Sequence, residues 1–319
     1  MTRRSNLLAR PYATAAIVGA AAAATALAVH TLTRVAETAT PPIGCFVEIE
    51  GVRLHYVERG RGQPLVLLHG NGMMIQDFLA SEFVAMAAHH YRVIVFDRPG
   101  FGYSERPRTT VWTPDAQADL IHAALDQIGI RNYLVLGHSW GASVALALGL
   151  NYPDAVRGLI LEGGYFYPSL RADAVMMAGP SVPVLGDIMR YTISQVINRM
   201  MWPAMRRQMF SPAPVAPTFA AFPSEMMMRP SQIRAGSAEA VLMVPDAASV
   251  KRRYGQLAMP IALVAGQGDR VIDTDSQARR FHRENPRSTL HVVEGCGHMV
   301  HHTAPRRVMS AVDEVDQAA

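Results

Sequence analysis

The sequence predicts an α/β fold: a mostly parallel sheet with helices on both faces and a helical cap inserted late in the chain. Three observations carry this. Short apolar runs alternate with segments of helical periodicity, as strands buried on both faces do. The runs stop at clusters of turn residues, as at His69-Gly70-Asn71-Gly72 and Asp97-Arg98-Pro99-Gly100. One long stretch, 165–256, shows no clear strand, yet holds ten of the 21 prolines and eleven of the 18 methionines, Met176 among them. A structureless loop of that length is rare inside a domain. Short helices broken at Pro203, Pro223, Pro230 and Pro245 are expected there instead.

In chain order, 46–50 and 53–58 alternate apolar and polar residues around Gly51 and read as a hairpin. Strands follow at 64–68 and 92–96, with a helix expected at 76–89 between them. A helix opens at Pro114, which Thr113 can cap. The run 133–136 is the next strand, and 159–161, 261–265 and 290–293 complete the set of eight. Helices are expected at 274–285 and 305–315. The division is then 1–42 for a basic segment, an apolar helix and a linker, 43–164 with 257–319 for the core, and 165–256 for the cap.

Half of the 319 residues are apolar and 18% are charged, which supports a sizeable core. The net charge of +4 invites a nucleic-acid reading. The positive residues are scattered, nearly all arginine (Lys251 is the sole lysine), and form no stripe with interleaved aromatics, so nucleic acid is not an expected partner. The two cysteines, Cys45 and Cys296, have no metal spacing. His301 and His302 follow His298 closely, but no carboxylate pattern completes a metal site, and neither metal nor cofactor is expected.

The N-terminus is different in kind. Arg3, Arg4 and Arg10 precede 23 residues, Pro11 to Thr33, without Asp, Glu, Lys or Arg. That length crosses a bilayer. The readings are an uncleaved anchor, an export signal cleaved after Ala26-Leu27-Ala28, or a packed N-terminal helix. The charge asymmetry puts the body outside the cytoplasm, on the periplasmic side, in the first two. Residues 36–42 read as a linker, so deleting 1–40 is expected to leave a soluble enzyme.

Chemistry concentrates at Gly137-His138-Ser139-Trp140-Gly141. An apolar strand stops there and an Ala-rich helix begins, in the spacing of a nucleophile elbow. The serine of such an elbow sits in a strained backbone conformation, and small flanking residues avoid collision with the strand and helix it joins. Ser139, Asp269 and His298 each fall just past the end of a predicted strand, where active groups of parallel sheets belong.

On these residues the chain resembles the α/β-hydrolase family. The matching pieces are H-G-N-G at 69–72, D-R-P-G-F-G at 97–102, G-H-S-W-G at 137–141, G-Q-G-D-R-V-I-D at 266–273 and G-C-G-H-M at 295–299, in the order serine, acid, histidine. The resemblance implies an eight-stranded α/β-hydrolase sheet, with Ser139 as nucleophile, His298 as base and Asp269 as its acid. It also implies an oxyanion hole from the backbone N–H groups of Asn71 and Trp140. Glu162 remains an alternative acid, because some relatives carry the acid at that strand end. Asp273 reads as a helix cap, and Asp97 and Arg98 as loop-holding residues. His69, Tyr165, Tyr167 and Met299 are pocket candidates, with turn shaping for His69 and core packing for the tyrosines as the other readings. Relatives that act on epoxides or haloalkanes have an aspartate where Ser139 sits. The expected activity is hydrolysis of esters, thioesters or lactones of apolar small molecules. A carbon–carbon bond hydrolase with the same three residues and an inactive membrane-tethered binding module are the alternatives.

Overall fold

The computed structural model describes residues 5–170 and 177–319, so Arg3, Arg4 and Met176 lie outside them. Eight strands form one sheet: β1 (Cys45–Ile49), β2 (Val52–Arg59), β3 (Gln63–Leu68), β4 (Tyr91–Phe96), β5 (Tyr133–His138), β6 (Val156–Glu162), β7 (Ile261–Gly266) and β8 (Thr289–Val293). Their order is β1-β2-β4-β3-β5-β6-β7-β8. β1 and β2 form an antiparallel hairpin, and β2 runs antiparallel to β4. All later pairings are parallel.

The alternation of side chains along a strand divides the core into two layers. Val66 and Leu68 of β3 pack on one face with helices Pro114–Gln127 and Trp140–Asn151. Leu65 and Leu67 point to the other, where Phe78, Phe83, Val308 and Val312 cover the sheet. β5 and β7 are buried at every residue, which is why they read as unbroken apolar runs. Strand order reverses at β3, between β4 and β5, and ligands of open α/β sheets bind at such a switch point. The turns after β3 and β5 carry His69-Gly70-Asn71 and Ser139.

Several elements differ from the sequence reading. The segment 76–89 is two short helices, Ile75–Leu79 and Glu82–Ala87, parted at Ser81, whose hydroxyl donates to Phe78 O at 2.6 Å instead of capping. The segment 274–285 begins with one wide turn, 275–279, before a short helix Arg280–Glu284. Between β6 and β7 the chain inserts helices Leu185–Tyr191, Ile193–Phe210, Ser224–Met227 and Pro230–Val250. Pro230 starts its helix and Pro223 precedes one, but Pro203 and Pro245 lie inside helices. A proline removes one backbone hydrogen bond of many. The buried faces flanking it, such as Ser194 with Met209 and Ile233 with Ala247, hold the helix through the gap.

The N-terminal helix spans Ser5–Ala39 and runs through most of the expected linker. Its end is fastened. Ala36 is buried in a cluster with Met74, Phe210 and Met299. Glu37 pairs with Arg229 at 3.2 Å, and the Tyr103 hydroxyl donates to the carbonyls of Glu37 and Thr40.

Candidate active site

Ser139 sits between β5 and helix Trp140–Asn151 with φ +54° and ψ −118°, a conformation that side-chain-bearing residues rarely adopt. Its N–H donates to Glu162 O at 2.8 Å, which ties the turn to the end of β6. The flanking glycines are required by contact. A Cβ on Gly137 would stand 2.2 Å from Gly141 O, and one on Gly141 would stand 2.0 Å from Leu68 O. Trp140 is the first residue of the helix, so its N–H is among those with no partner inside the helix. Gly70, in the turn after β3, lies against Ser139: a Cβ there would be 3.1 Å from Ser139 Cβ. Asn71 follows it, and its side-chain amide donates to Gly236 O of helix Pro230–Val250 at 3.0 Å.

His298 and Asp269 meet. Nδ1 of His298 is 2.7 Å from Asp269 Oδ2. The other carboxylate oxygen accepts from the N–H groups of Val271, at 2.7 Å, and Ile272, at 3.0 Å. Burial alone would raise the pKa of Asp269, but His298 and these two donors outweigh it and hold the carboxyl below its usual range. An ionised Asp269 only accepts, so the proton lies on His298 Nδ1 and leaves Nε2 as the acceptor. The backbone N–H of His298 donates to Met209 O of the insertion at 2.8 Å. Gly163 has φ +55°, and a Cβ there would stand 3.1 Å from the His298 ring, so the backbone and the close ring both favour glycine.

Glu162 pairs elsewhere. Its Oε1 accepts from His301 N at 2.9 Å and lies 2.8 Å from His301 Nδ1. The far side of His301 faces Asp77 at 3.4 Å, and His302 reaches the same carboxylate at 3.0 Å. Burial pulls the His301 pKa down, but Glu162 and Asp77 overcome this and push it up to about 10. His301 is therefore an imidazolium between two carboxylates. His138 lies beside it, 4.9 Å between ring centres, and stays neutral, because burial and then His298 push its pKa down to about 3. The sequence had shown no carboxylate to join these histidines; Asp77 is one. Asp77, His138 and His301 bring ligand-type atoms within 4.8 Å of one another, all buried, the kind of group that can hold a metal ion. In the structure Glu162 takes up Nδ1 of His301, while Nε2 lies 3.4 Å from Asp77 without a hydrogen bond. The missed signal was the adjacent pair His301-His302, whose partner lies more than two hundred residues earlier.

The turn after β3 is held by Arg98. Its Nε donates to His69 O at 2.7 Å and its Nη2 to Gly70 O at 3.1 Å. The same guanidinium grips Glu239 of helix Pro230–Val250 at 2.5 and 3.0 Å, with both side chains fully buried. His69 accepts from Arg98 N through Nε2 and faces Gly70 O with Nδ1, which fixes it as a neutral structural ring. Burial, followed by the Arg98 charge, holds its pKa well below the ordinary value. Asp97 joins the same loop through His55 Nδ1 at 2.6 Å and the N–H groups of Ile75 and Tyr103. Asp273 accepts from Ser276 N at 2.8 Å, as a cap does.

The remaining pocket candidates are buried. The Tyr165 hydroxyl meets Ser169. The Tyr167 hydroxyl donates to Glu284 at 2.8 Å, and Arg280 lies over its ring. Met299 packs among Met73, Met74 and Phe210, beside the turn after β3.

Comparison with known proteins identifies the family. A family model described as alpha/beta hydrolase fold matches residues 63–305. Haloalkane dehalogenase 2 of Mycobacterium tuberculosis is 28% identical over 271 residues, covering 82% of this chain and 91% of that protein. The 2-hydroxy-6-oxo-2,4-heptadienoate hydrolase of Pseudomonas putida is 28% identical over 268 residues, covering 81% of this chain and 90% of that one. Among solved structures, a membrane phospholipase A described as a bacterial virulence factor is similar with a TM-score of 0.66 and 20% identity, over 99% of this chain and all of its own.

Proposed function

The chain belongs to the α/β-hydrolase family, and on that premise we propose that this hydrolase cleaves ester-type bonds of apolar small molecules (esters, thioesters or lactones) through an acyl-Ser139 intermediate. The observation that carries the reading is the 2.7 Å contact of His298 with Asp269, at the strand ends where Ser139 stands in a strained elbow. Ser139 Oγ attacks the carbonyl carbon while His298 Nε2 takes its proton. The oxyanion of the tetrahedral intermediate is met by the N–H groups of Asn71 and Trp140. His298 then gives the proton to the leaving alcohol, thiol or hydroxyl, and a water activated by the same histidine releases the acid. Asp269 holds the imidazole tautomer and stabilises the imidazolium. No step calls for a metal or cofactor.

A nucleophilic serine distinguishes this chain from an enzyme that displaces halide with a carboxylate, and directs it to carbonyl substrates. A second reading, hydrolysis of a carbon–carbon bond beside a ketone, uses the same three residues and has support in the heptadienoate hydrolase among the relatives. The insertion, taken as residues 165–256 between core segments 43–164 and 257–319, acts as a cap, because Gly236, Glu239 and Met209 all bond to residues of the site. The apolar run in the N-terminal helix anchors the enzyme in a membrane, with the body outside the cytoplasm. One long apolar helix from Tyr12 to Ala39 and the arginines ahead of its charge-free run support this. So does a membrane phospholipase A that is similar along the whole chain.

The test is a screen of p-nitrophenyl esters beside a vinylogous diketone, with native chain and Ser139→Ala. The native chain is expected to hydrolyse esters and to be labelled by a fluorophosphonate at Ser139. The variant should lose about 10,000-fold or more in kcat while keeping its fold. A folded native chain that takes no label would overturn the reading in favour of an inactive binding module. Turnover of the diketone alone would favour the carbon–carbon reading.

A further inference from the structure

The surface of the insertion next to the N-terminal helix has an unusual composition. From Val182 to Ala204 every exposed side chain is uncharged. The large ones include Val184 (73% exposed), Leu185, Ile188, Val196, Ile197 and Met200 (77%). The charged residues of this stretch are turned away from it or neutralised. Asp187 pairs with Arg108 and Arg190, Arg190 is buried, and Arg199 pairs with Glu225. All but Val184 lie on two consecutive helices, and an apolar face of that extent marks an interaction surface.

The N-terminal helix identifies what covers it. The helix packs against Leu185–Tyr191 and Ser224–Met227. Val29 and Ala36 are buried, and Thr25, Ala26 and Thr33 are half-buried on the same side. The charge-free run starts at Pro11, so Pro11 to Ala24, ahead of the docked face, rises only about 21 Å. A hydrocarbon core is about 30 Å thick. The missing ~10 Å must come from turns that already touch the insertion, which sets its neighbouring surface at the depth of the bilayer boundary. Beside the apolar face opens a cleft of about 540 Å³ lined by Arg106, Arg108, Arg190, Arg229 and Arg234. Tyr191 belongs to both. The cleft's arginines are engaged within the protein, Arg108 and Arg190 by Asp187, Arg229 by Glu37 and Arg106 beside Glu239, so the apolar face itself makes the contact with the bilayer boundary.

We propose that the face formed by 182–204 is a second membrane-contacting surface, seated in the boundary of the same bilayer that the N-terminal helix crosses. This rests on the reading of that helix as a membrane span. The two elements then hold the body at a fixed height and turn the insertion, with the site beneath it, toward the lipid.

The test uses the full chain in phosphatidylcholine–phosphatidylglycerol vesicles. In a Cys45→Ser background, where the remaining Cys296 is buried, Ile188→Cys, Met200→Cys and Arg131→Cys are each labelled with an environment-sensitive fluorophore. Arg131 precedes β5, at the N-terminal ends of the parallel strands, whereas the insertion follows the C-terminal end of β6. Lipid-borne nitroxides are expected to quench the labels at 188 and 200 by about twofold or more while iodide does not, with the pattern reversed at 131. Iodide quenching at 188 and 200, in protein that resists carbonate extraction, overturns the proposal and leaves the anchor reading intact. Release of the chain by carbonate overturns the anchor reading, and the proposal with it.

Discussion

Asp269 and Glu162 end neighbouring strands, β7 and β6, and the sequence offered both as the acid. Distance separates them: Asp269 lies 2.7 Å from His298 Nδ1, whereas Glu162 is spent on His301. Two substitutions should therefore fail in different ways. Asp269→Asn is expected to lower kcat by about 10,000-fold, by loss of the tautomer and of the imidazolium's partner. Glu162→Gln should slow turnover far less but lower the unfolding free energy by about 3–5 kcal/mol, because it breaks a buried pair. Steady-state kinetics with urea unfolding on both variants checks the contrast. The pH dependence of stability follows from His301. Its pKa is about 10 in the folded chain against 6.5 for the free side chain, so the folded state holds this proton more tightly. That stabilisation is complete below about pH 6.5 and is lost progressively as pH rises toward 10. Melting temperature should fall over that window, and more gently in His301→Gln. Glycine spacing and the residues after each strand made Ser139, His298 and Asp269 legible in the sequence. The Glu162–His301–Asp77 cluster was not, since its members are ordinary in their local context and join only through the fold.

Helices of the insertion lacked any recognisable pattern, and the structure gives two reasons. Proline stands inside two of them without ending them. Their buried residues also face loops of the core, such as Glu239 on Arg98 and Gly236 on Asn71, so they follow contacts instead of helical periodicity. Core elements were legible because the central strands, β5 and β7 above all, bury both faces and advertise this in unbroken apolar runs, while the half-exposed β1 and β2 alternate. The cost of detaching the insertion can be measured at the Arg98–Glu239 pair, where no solvent compensates a lost partner. Glu239→Gln is expected to lower the unfolding free energy by about 3–5 kcal/mol and to reduce kcat, since Arg98 also holds the carbonyls of His69 and Gly70. The exposed pair Arg199–Glu225 is the control, and Glu225→Gln should change stability by less than about 1 kcal/mol. Equal losses in the two variants would remove Arg98 from its place as the tie between turn and insertion.

At the scale of the whole molecule, the N-terminal helix is a strut instead of a leash. The sequence reading placed a linker at 36–42 and a dispensable segment before it. The structure buries Val29 and Ala36 and pairs Glu37 with Arg229. Burying one valine contributes about 1.5–3 kcal/mol. Deleting 1–24 is therefore expected to leave the unfolding transition in place, while deleting 1–40 lowers it and exposes the cluster around Phe210 and Met226. Comparing the two truncations in detergent by thermal unfolding and dye binding tests this, and equal transitions would restore the linker reading. The buried charges also bear on how the body assembles. Asp77, His138, Glu162 and His301 come from four separate strand–helix units. A partly built sheet that has closed over Asp77 and Glu162 before the last segment arrives would bury two carboxylates with no cation between them. Each such charge costs several kcal/mol, so half-assembled states are penalised and the sheet is driven to close in one step. The cluster thus acts as a proofreader of folding: it rewards only the chain in which the crossover after β3 and the segment after β8 have found each other.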